Sequence, residues 1–143
     1  MNKDTIKLLK ECDLGVNMGI ISFNDVYKYI KSSTLKEIIL KSKKTHLELK
    51  KELMILLKEC DESGKSPTFF VKCMSFCKTK MRLLMHGNDQ GIANLITDGA
   101  NMGVKSLNKY LNRYVRASDE SKEITKRIIQ EEEQLLKDLR RFL

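Results

Sequence analysis

The sequence predicts an all-α protein: two antiparallel helical hairpins related by a pseudo-twofold repeat, packed as a four-helix bundle with a short crossover helix between them. Three observations predict it. The segment Asn17-Met18-Gly19-Ile20-Ile21-Ser22-Phe23-Asn24 returns 84 residues on as Asn101-Met102-Gly103-Val104-Lys105-Ser106-Leu107-Asn108, with Asn, Met, Gly, Ser and the second Asn in the same order. Apolar residues recur at three-four spacing around both copies, the signature of an amphipathic helix. The polar breaks near residues 31–34 and 117–120 are so short that the helices they join must be antiparallel neighbours.

The first helix is expected over residues 3–31. Leu8, Cys12, Gly15, Gly19, Ser22, Val26 and Ile30 fall on one face, and Leu9, Val16, Phe23 and Tyr27 widen it. Ser33 or Thr34 can cap the second helix, and Thr34 with Glu37 has the capping-box form. That helix runs to about Cys60, with Leu35, Ile38, Ser42, Thr45, Leu49, Leu53 and Leu56 inward and His46 on the flank. Gly64 can stop it, and Pro67 suits the first position of a crossover helix over about 67–85. Asn88 or Asp89 caps a long helix over 89–115 that carries Ile92, Ile96, Gly99, Gly103, Ser106 and Tyr110. Ser118 begins the last helix, about 119–142, with Ile124, Ile128, Leu135, Leu139 and Phe142 inward. The whole is read as one domain, residues 1–143, with hairpin 1 over 3–60 and hairpin 2 over 89–142. The repeat extends further: His46-Leu-Glu-Leu-Lys-Lys-Glu-Leu53 matches Glu132-Glu-Gln-Leu-Leu-Lys-Asp-Leu139 at an offset of 86.

Composition bounds the function. Apolar residues make up 41% and charged residues 32% of the 143, with one proline, which suits a folded helical domain. The opening Met1-Asn-Lys-Asp-Thr-Ile-Lys has no apolar core of a signal peptide, and the longest aliphatic run, Leu53 to Leu57, is far short of a membrane span. A cytoplasmic protein without a membrane partner is expected, with four reduced cysteines. The net charge of +8 is compatible with an acidic partner, but the richness in Lys, Asn and Ile favours the plainer reading of a low-GC coding bias.

Glycine inside a helix costs about 1 kcal/mol relative to alanine, so Gly15, Gly19, Gly99 and Gly103 call for a reason. Together with Ser22 and Ser106 they form a small-residue face. It admits two readings: a seam where helices 1 and 4 of the chain pack closely, or room for a ligand. A polar set lies at one level of the four long helices: Asn17, His46, Asn101 and Glu132. If they meet near the pseudo-twofold axis, His46 is at least half buried and reaches Glu132 or an asparagine. The alternative turns His46 outward, leaving Thr45 to bond its own helix.

Cys12-Asp-Leu-Gly-Val-Asn-Met-Gly19, the segment Thr97–Asn112 and the closing Glu-rich helix resemble a bacterial family of ferritin-like four-helix bundles whose function is unknown. The resemblance covers nearly the whole chain. It implies an up-down pair, a long crossover and a second pair, and it brings no activity with it. Ferritin-like di-iron proteins carry a Glu on each of two helices and Glu-x-x-His on the other two. Here Lys43 stands three residues before His46, Leu135 stands three after Glu132, and Asn17 and Asn101 occupy places where acids would be needed. His46 and Glu132 remain the only metal-ligand candidates, too few for oxygen chemistry at two irons. No cofactor and no catalytic residue are expected.

Cys73 and Cys77 share a helix face without a second Cys or His pair, so they read as core packing rather than a zinc site. Lys105, Lys109, Arg113 and Arg116 form a basic stripe free of acids. Such a stripe can bind phosphates in a salt-dependent way, but more often it is a solvated face. The expected role is a non-catalytic structural module that binds a protein partner or itself. The alternatives are a metal-binding or degenerate redox protein and a weak polyanion binder.

Overall fold

The computed structural model describes residues 2–60 and 88–143. They form four long helices and a closing 3-10 turn, with no strand among the described residues: α1 (Lys3–Tyr27), α2 (Ser33–Glu59), α3 (Asp89–Arg113), α4 (Asp119–Leu139) and the turn Arg140–Phe142. The crossover helix expected over 67–85, and with it Cys73, Cys77 and His86, lies outside the described residues. No helix among the described residues is long and apolar enough to cross a membrane.

Each helix begins with a side chain that satisfies an orphan backbone N–H. Asn2 accepts from Thr5, Ser32 from Leu35, Asn88 from Gly91 and Ser118 from Ser121. The cap of α2 is thus Ser32, one residue ahead of the expected Ser33 or Thr34. α1 is also shorter than the sequence suggests, ending at Tyr27 instead of 31. The reason is tertiary: Asp89, in the first turn of α3, accepts the backbone N–H groups of Lys31 and Ser32 at 2.9 Å each. Ile30, between them and α1, is buried in the core.

The same arrangement closes the other end. Thr5, in the first turn of α1, accepts the N–H of Ser118 at 2.8 Å, while Asp4 accepts that of Arg116 and Asn2 donates to the Arg116 carbonyl. The first turn of each hairpin therefore holds the connection of the other, which makes α1 and α3 antiparallel. Thr5 and Asp89 stand 84 residues apart, and Ser32 and Ser118 stand 86 apart, the offsets of the sequence repeat.

α1 packs along α2 and α3 along α4, and the two pairs meet through α2 with α4 and through α1 with both α3 and α4. The apolar interior falls into two clusters. Leu8, Cys12, Val16, Leu53, Leu107 and Ile128 belong to one end, and Phe23, Val26, Leu35, Ile39, Ile92 and Leu135 to the other. Between them is a waist, and there the inward positions are Gly19, Ser42, His46, Gly103 and Glu132.

Candidate functional site

Ser42 and His46 are one turn apart on α2 and face inward, buried to 3% and 0% exposure. Glu132 comes from α4 at the same height. Its carboxylate Oε1 lies 2.7 Å from His46 Nε2, and its side chain is 12% exposed, so the pair is almost sealed from water. The two partners stand 86 residues apart, and so they are each other's equivalents in the repeat.

The other ring nitrogen fixes the protonation. His46 Nδ1 lies 2.8 Å from the Ser42 carbonyl oxygen, which can only accept, so Nδ1 carries a hydrogen. A second proton then sits between Nε2 and Glu132. Burial pulls the His46 pKa down. The hydrogen bond to Glu132, the charge of that carboxylate, the Ser42 carbonyl and the charge of Glu131 together outweigh it, and the pKa is raised from 6.5. The pair therefore shares one proton between Nε2 and Oε1, and the contact with Glu132 favours the protonated imidazole more than water would. Ser42 Oγ donates to Glu131 Oε1 at 2.9 Å. Burial raises the Glu131 pKa, against the pull of that hydrogen bond and of the His46 charge.

Glycine makes the space. A Cβ on Gly19 would stand 2.9 Å from His46 Cδ2, closer than real Cβ contacts come, and 3.0 Å from Nε2, so the ring would have to shift. A Cβ on Gly103 would meet Glu132 Cγ at an ordinary 3.7 Å. Phe23, one turn beyond Gly19, sets its ring edge-on to the imidazole, with centroids 4.9 Å apart and planes at 90°. The imidazole is thus held by an acceptor at each nitrogen and by α1, which offers it the Phe23 ring and the bare backbone at Gly19.

The structure places the remaining sequence candidates elsewhere. Asn17 is buried, but its amide donates to the Asp13 carbonyl of its own helix at 2.8 Å. Asn101 is exposed, so the four-helix polar set reduces to an α2–α4 pair. Gly15 and Gly99 are exposed, and a Cβ on either would meet nothing within 4 Å, so neither belongs to a packing seam. The inward face of α1 runs instead through Val16, Ile20 and Phe23, because rotating those side chains inward removes more apolar surface from water than burying glycine. Ser22 and Ser106 are half-buried, and Ser22 Oγ donates to the Met18 carbonyl.

Lys105, Lys109 and Arg113 are exposed on α3, with the Arg113 guanidinium over the Tyr110 ring. Arg116 is exposed too but lies in the turn after α3, so the stripe is one residue shorter on the helix than its spacing suggested. Sequence reasoning missed Glu131 and Phe23 as neighbours of His46. It also missed Arg127, which makes a two-pronged contact to Glu52 at 2.6 and 2.9 Å on the outer α2–α4 face. The antiparallel register fixed by His46 and Glu132 would have located that contact.

Among the described residues no group of three or more His, Cys, Asp or Glu side chains is arranged to hold a metal ion. Cys12 lies 3.1 Å from Thr125 Oγ1 in the core, and burial pushes its thiol up to about 12, so it is a packing residue rather than a thiolate nucleophile. Neither a protein-family model, nor a curated protein, nor a solved structure matches this chain.

Two outcomes follow from this geometry. Gly15→Ala and Gly99→Ala should each stabilise by up to about 1 kcal/mol, Gly103→Ala should be neutral or mildly stabilising, and Gly19→Ala should destabilise, because the ring it meets is pinned at both nitrogens. Urea midpoints rank the four, and a rise for Gly19→Ala would contradict the close approach. The second outcome concerns pH. A histidine whose folded pKa lies above its unfolded one contributes stability that is full below about pH 6.5 and is lost as pH rises through the folded pKa. Unfolding free energy should therefore fall from about pH 6.5 upward, beyond the earlier decline caused by the raised Glu131 pKa. In Glu132→Gln the slope above pH 6.5 should flatten, and an unchanged slope would show that Glu132 does not hold the proton.

Proposed function

We propose that this chain is a non-catalytic, ferritin-like helical bundle that serves as a structural or protein-interaction module in a reducing, cytoplasmic setting. The observation that carries the reading is the saturation of its waist. The one buried imidazole among the described residues has a hydrogen in use at each nitrogen, one to the Ser42 carbonyl and one to Glu132. A group so engaged stabilises the fold and has no lone pair to offer a metal or a substrate. The repeat-related contacts at both ends of the bundle support the two-hairpin architecture in which an ion pair bridges α2 and α4.

A second reading, a metal-binding or degenerate redox protein, draws on the same neighbourhood. Glu132 meets His46 there, Glu131 meets Ser42 one turn away, and burial raises the Glu131 pKa. Metal ligation at His46 would have to break its 2.7 Å bond to Glu132. A third reading, a weak polyanion binder, rests on the exposed Lys105, Lys109 and Arg113.

Metal analysis of protein purified anaerobically separates the first two. The expected result is iron and manganese far below one equivalent per chain, before and after incubation with either ion. Stoichiometric metal that is lost in Glu132→Gln would replace the structural reading with the second.

A further inference from the structure

One concavity has a character that the waist does not explain. Between the first half of α2 and the end of α4 runs an open groove of about 570 Å³. Thr34, Ile38 and Lys41 line it from α2, and Lys137, Arg140 and Arg141 from α4 and the closing turn. Two acids, Glu37 and Asp138, complete it. Four cations against two acids leave the groove net positive.

The two groove acids are outnumbered and make no close ion pair with the cations. The Asp138 carboxylate is engaged by the Gln134 side-chain amide at 2.8 Å. None of the four groove cations makes the close ion pairs seen at His46–Glu132 and Arg127–Glu52; Lys41 feels the Glu131 carboxylate through space, and Lys137, Arg140 and Arg141 keep their charge for the groove. Like charges gathered on two converging elements repel one another unless an anion sits between them. Arg141 is also partly pre-positioned: its guanidinium lies over the Phe142 ring at 5.4 Å, and Phe142 packs against the buried cluster at that end of the bundle. Ile38 packs on the same cluster and provides an apolar strip between the cations. Thr34 adds a hydroxyl that can donate or accept.

We propose that this groove binds a small organic phosphate, its phosphoryl oxygens on Lys41, Lys137, Arg140 and Arg141 and its apolar or ring portion against Ile38. Guanidinium groups match phosphate oxygens in paired hydrogen bonds, and ammonium groups add point charge. The volume lies within the range that holds a ligand of mononucleotide size. A nucleic-acid strand fits the groove less well, since a polymer needs a basic track that continues along the surface. The exposed stripe of Lys105, Lys109 and Arg113 is closer to such a track, but it lies on one convex helix face, where charges do not converge.

Titration calorimetry of the full chain with AMP and with inorganic pyrophosphate tests this, alongside methyl NMR of Ile38. The expected result is saturable one-site binding of AMP, with a shift of the Ile38 methyl signals and weakening at higher salt. Lys137→Glu with Arg140→Glu should weaken binding by about tenfold or more. Lys105→Glu with Lys109→Glu should leave it within about twofold. Helical circular dichroism checks that the variants fold, and Lys137→Gln with Arg140→Gln, which should also weaken binding, replaces the reversed pair if it does not. Absence of saturable binding at millimolar AMP overturns the proposal. So does equal loss in the α3 variant, which would mark general attraction to a basic protein. Binding of pyrophosphate with no Ile38 response to AMP would reduce the groove to an anion trap and overturn the organic-phosphate assignment.

Discussion

The hydrogen bond between His46 and Glu132 is the constraint on which the middle of this protein depends. Removing an imidazolium and a carboxylate from water is expensive, and their attraction compensates only when the geometry is good and the remaining donors are satisfied. Both conditions are met: the bond is 2.7 Å, and the second ring N–H is taken by the Ser42 carbonyl of the same helix. The arrangement also sets how close α1 can come. Its backbone passes so near the ring that a single methyl group on residue 19 would collide with it. The glycine there is the condition for an ion pair in the interior, and the loss of helix propensity, about 1 kcal/mol, is set against the burial of the imidazole and the packing of Phe23 around it.

The pair also shows how two similar hairpins can share one core. Residues equivalent in a repeat meet each other only near the axis that relates the copies, so any identical residue placed there faces itself. Two histidines would be like charges when protonated, and two glutamates would share one proton at best. Here the two positions are complementary, an acid on α4 and a base on α2. Away from the axis the copies keep their likeness. Ser32 and Ser118 cap the second helix of each hairpin, and each has its N–H held by the first turn of the opposite hairpin, Ser32 by Asp89 and Ser118 by Thr5. The hairpins are thus fastened at both ends and at the waist, by contacts that neither could make alone.

The helices were legible in the sequence because their apolar periodicity, caps and short turns agree with one another. His46 and Glu132 were legible as a pair because the repeat offset aligns them. Asn17 and Asn101 share that offset, yet they do not join the pair. A helix face is set by where its large apolar side chains fall, and Val16, Ile20 and Phe23 turn α1 so that Asn17 reaches its own backbone, while Asn101 on α3 faces solvent. Gly15 and Gly19 look alike in sequence for a similar reason. Only the location of the imidazole distinguishes a glycine that makes room from one on the surface. The end of α1 was misplaced because the residue that stops it, Asp89, is distant in the chain.

A double-mutant cycle on His46→Ala and Glu132→Ala, read as unfolding free energy at pH 6, tests the pair most directly. At that pH the raised His46 pKa favours the protonated ring that Glu132 holds. Each single change leaves a buried partner unsatisfied and should cost about 3–5 kcal/mol, and the double variant should cost less than the sum by about 1–3 kcal/mol. Additivity within about 0.5 kcal/mol would mean that the two side chains do not depend on each other, and it would contradict an interior organised around their contact.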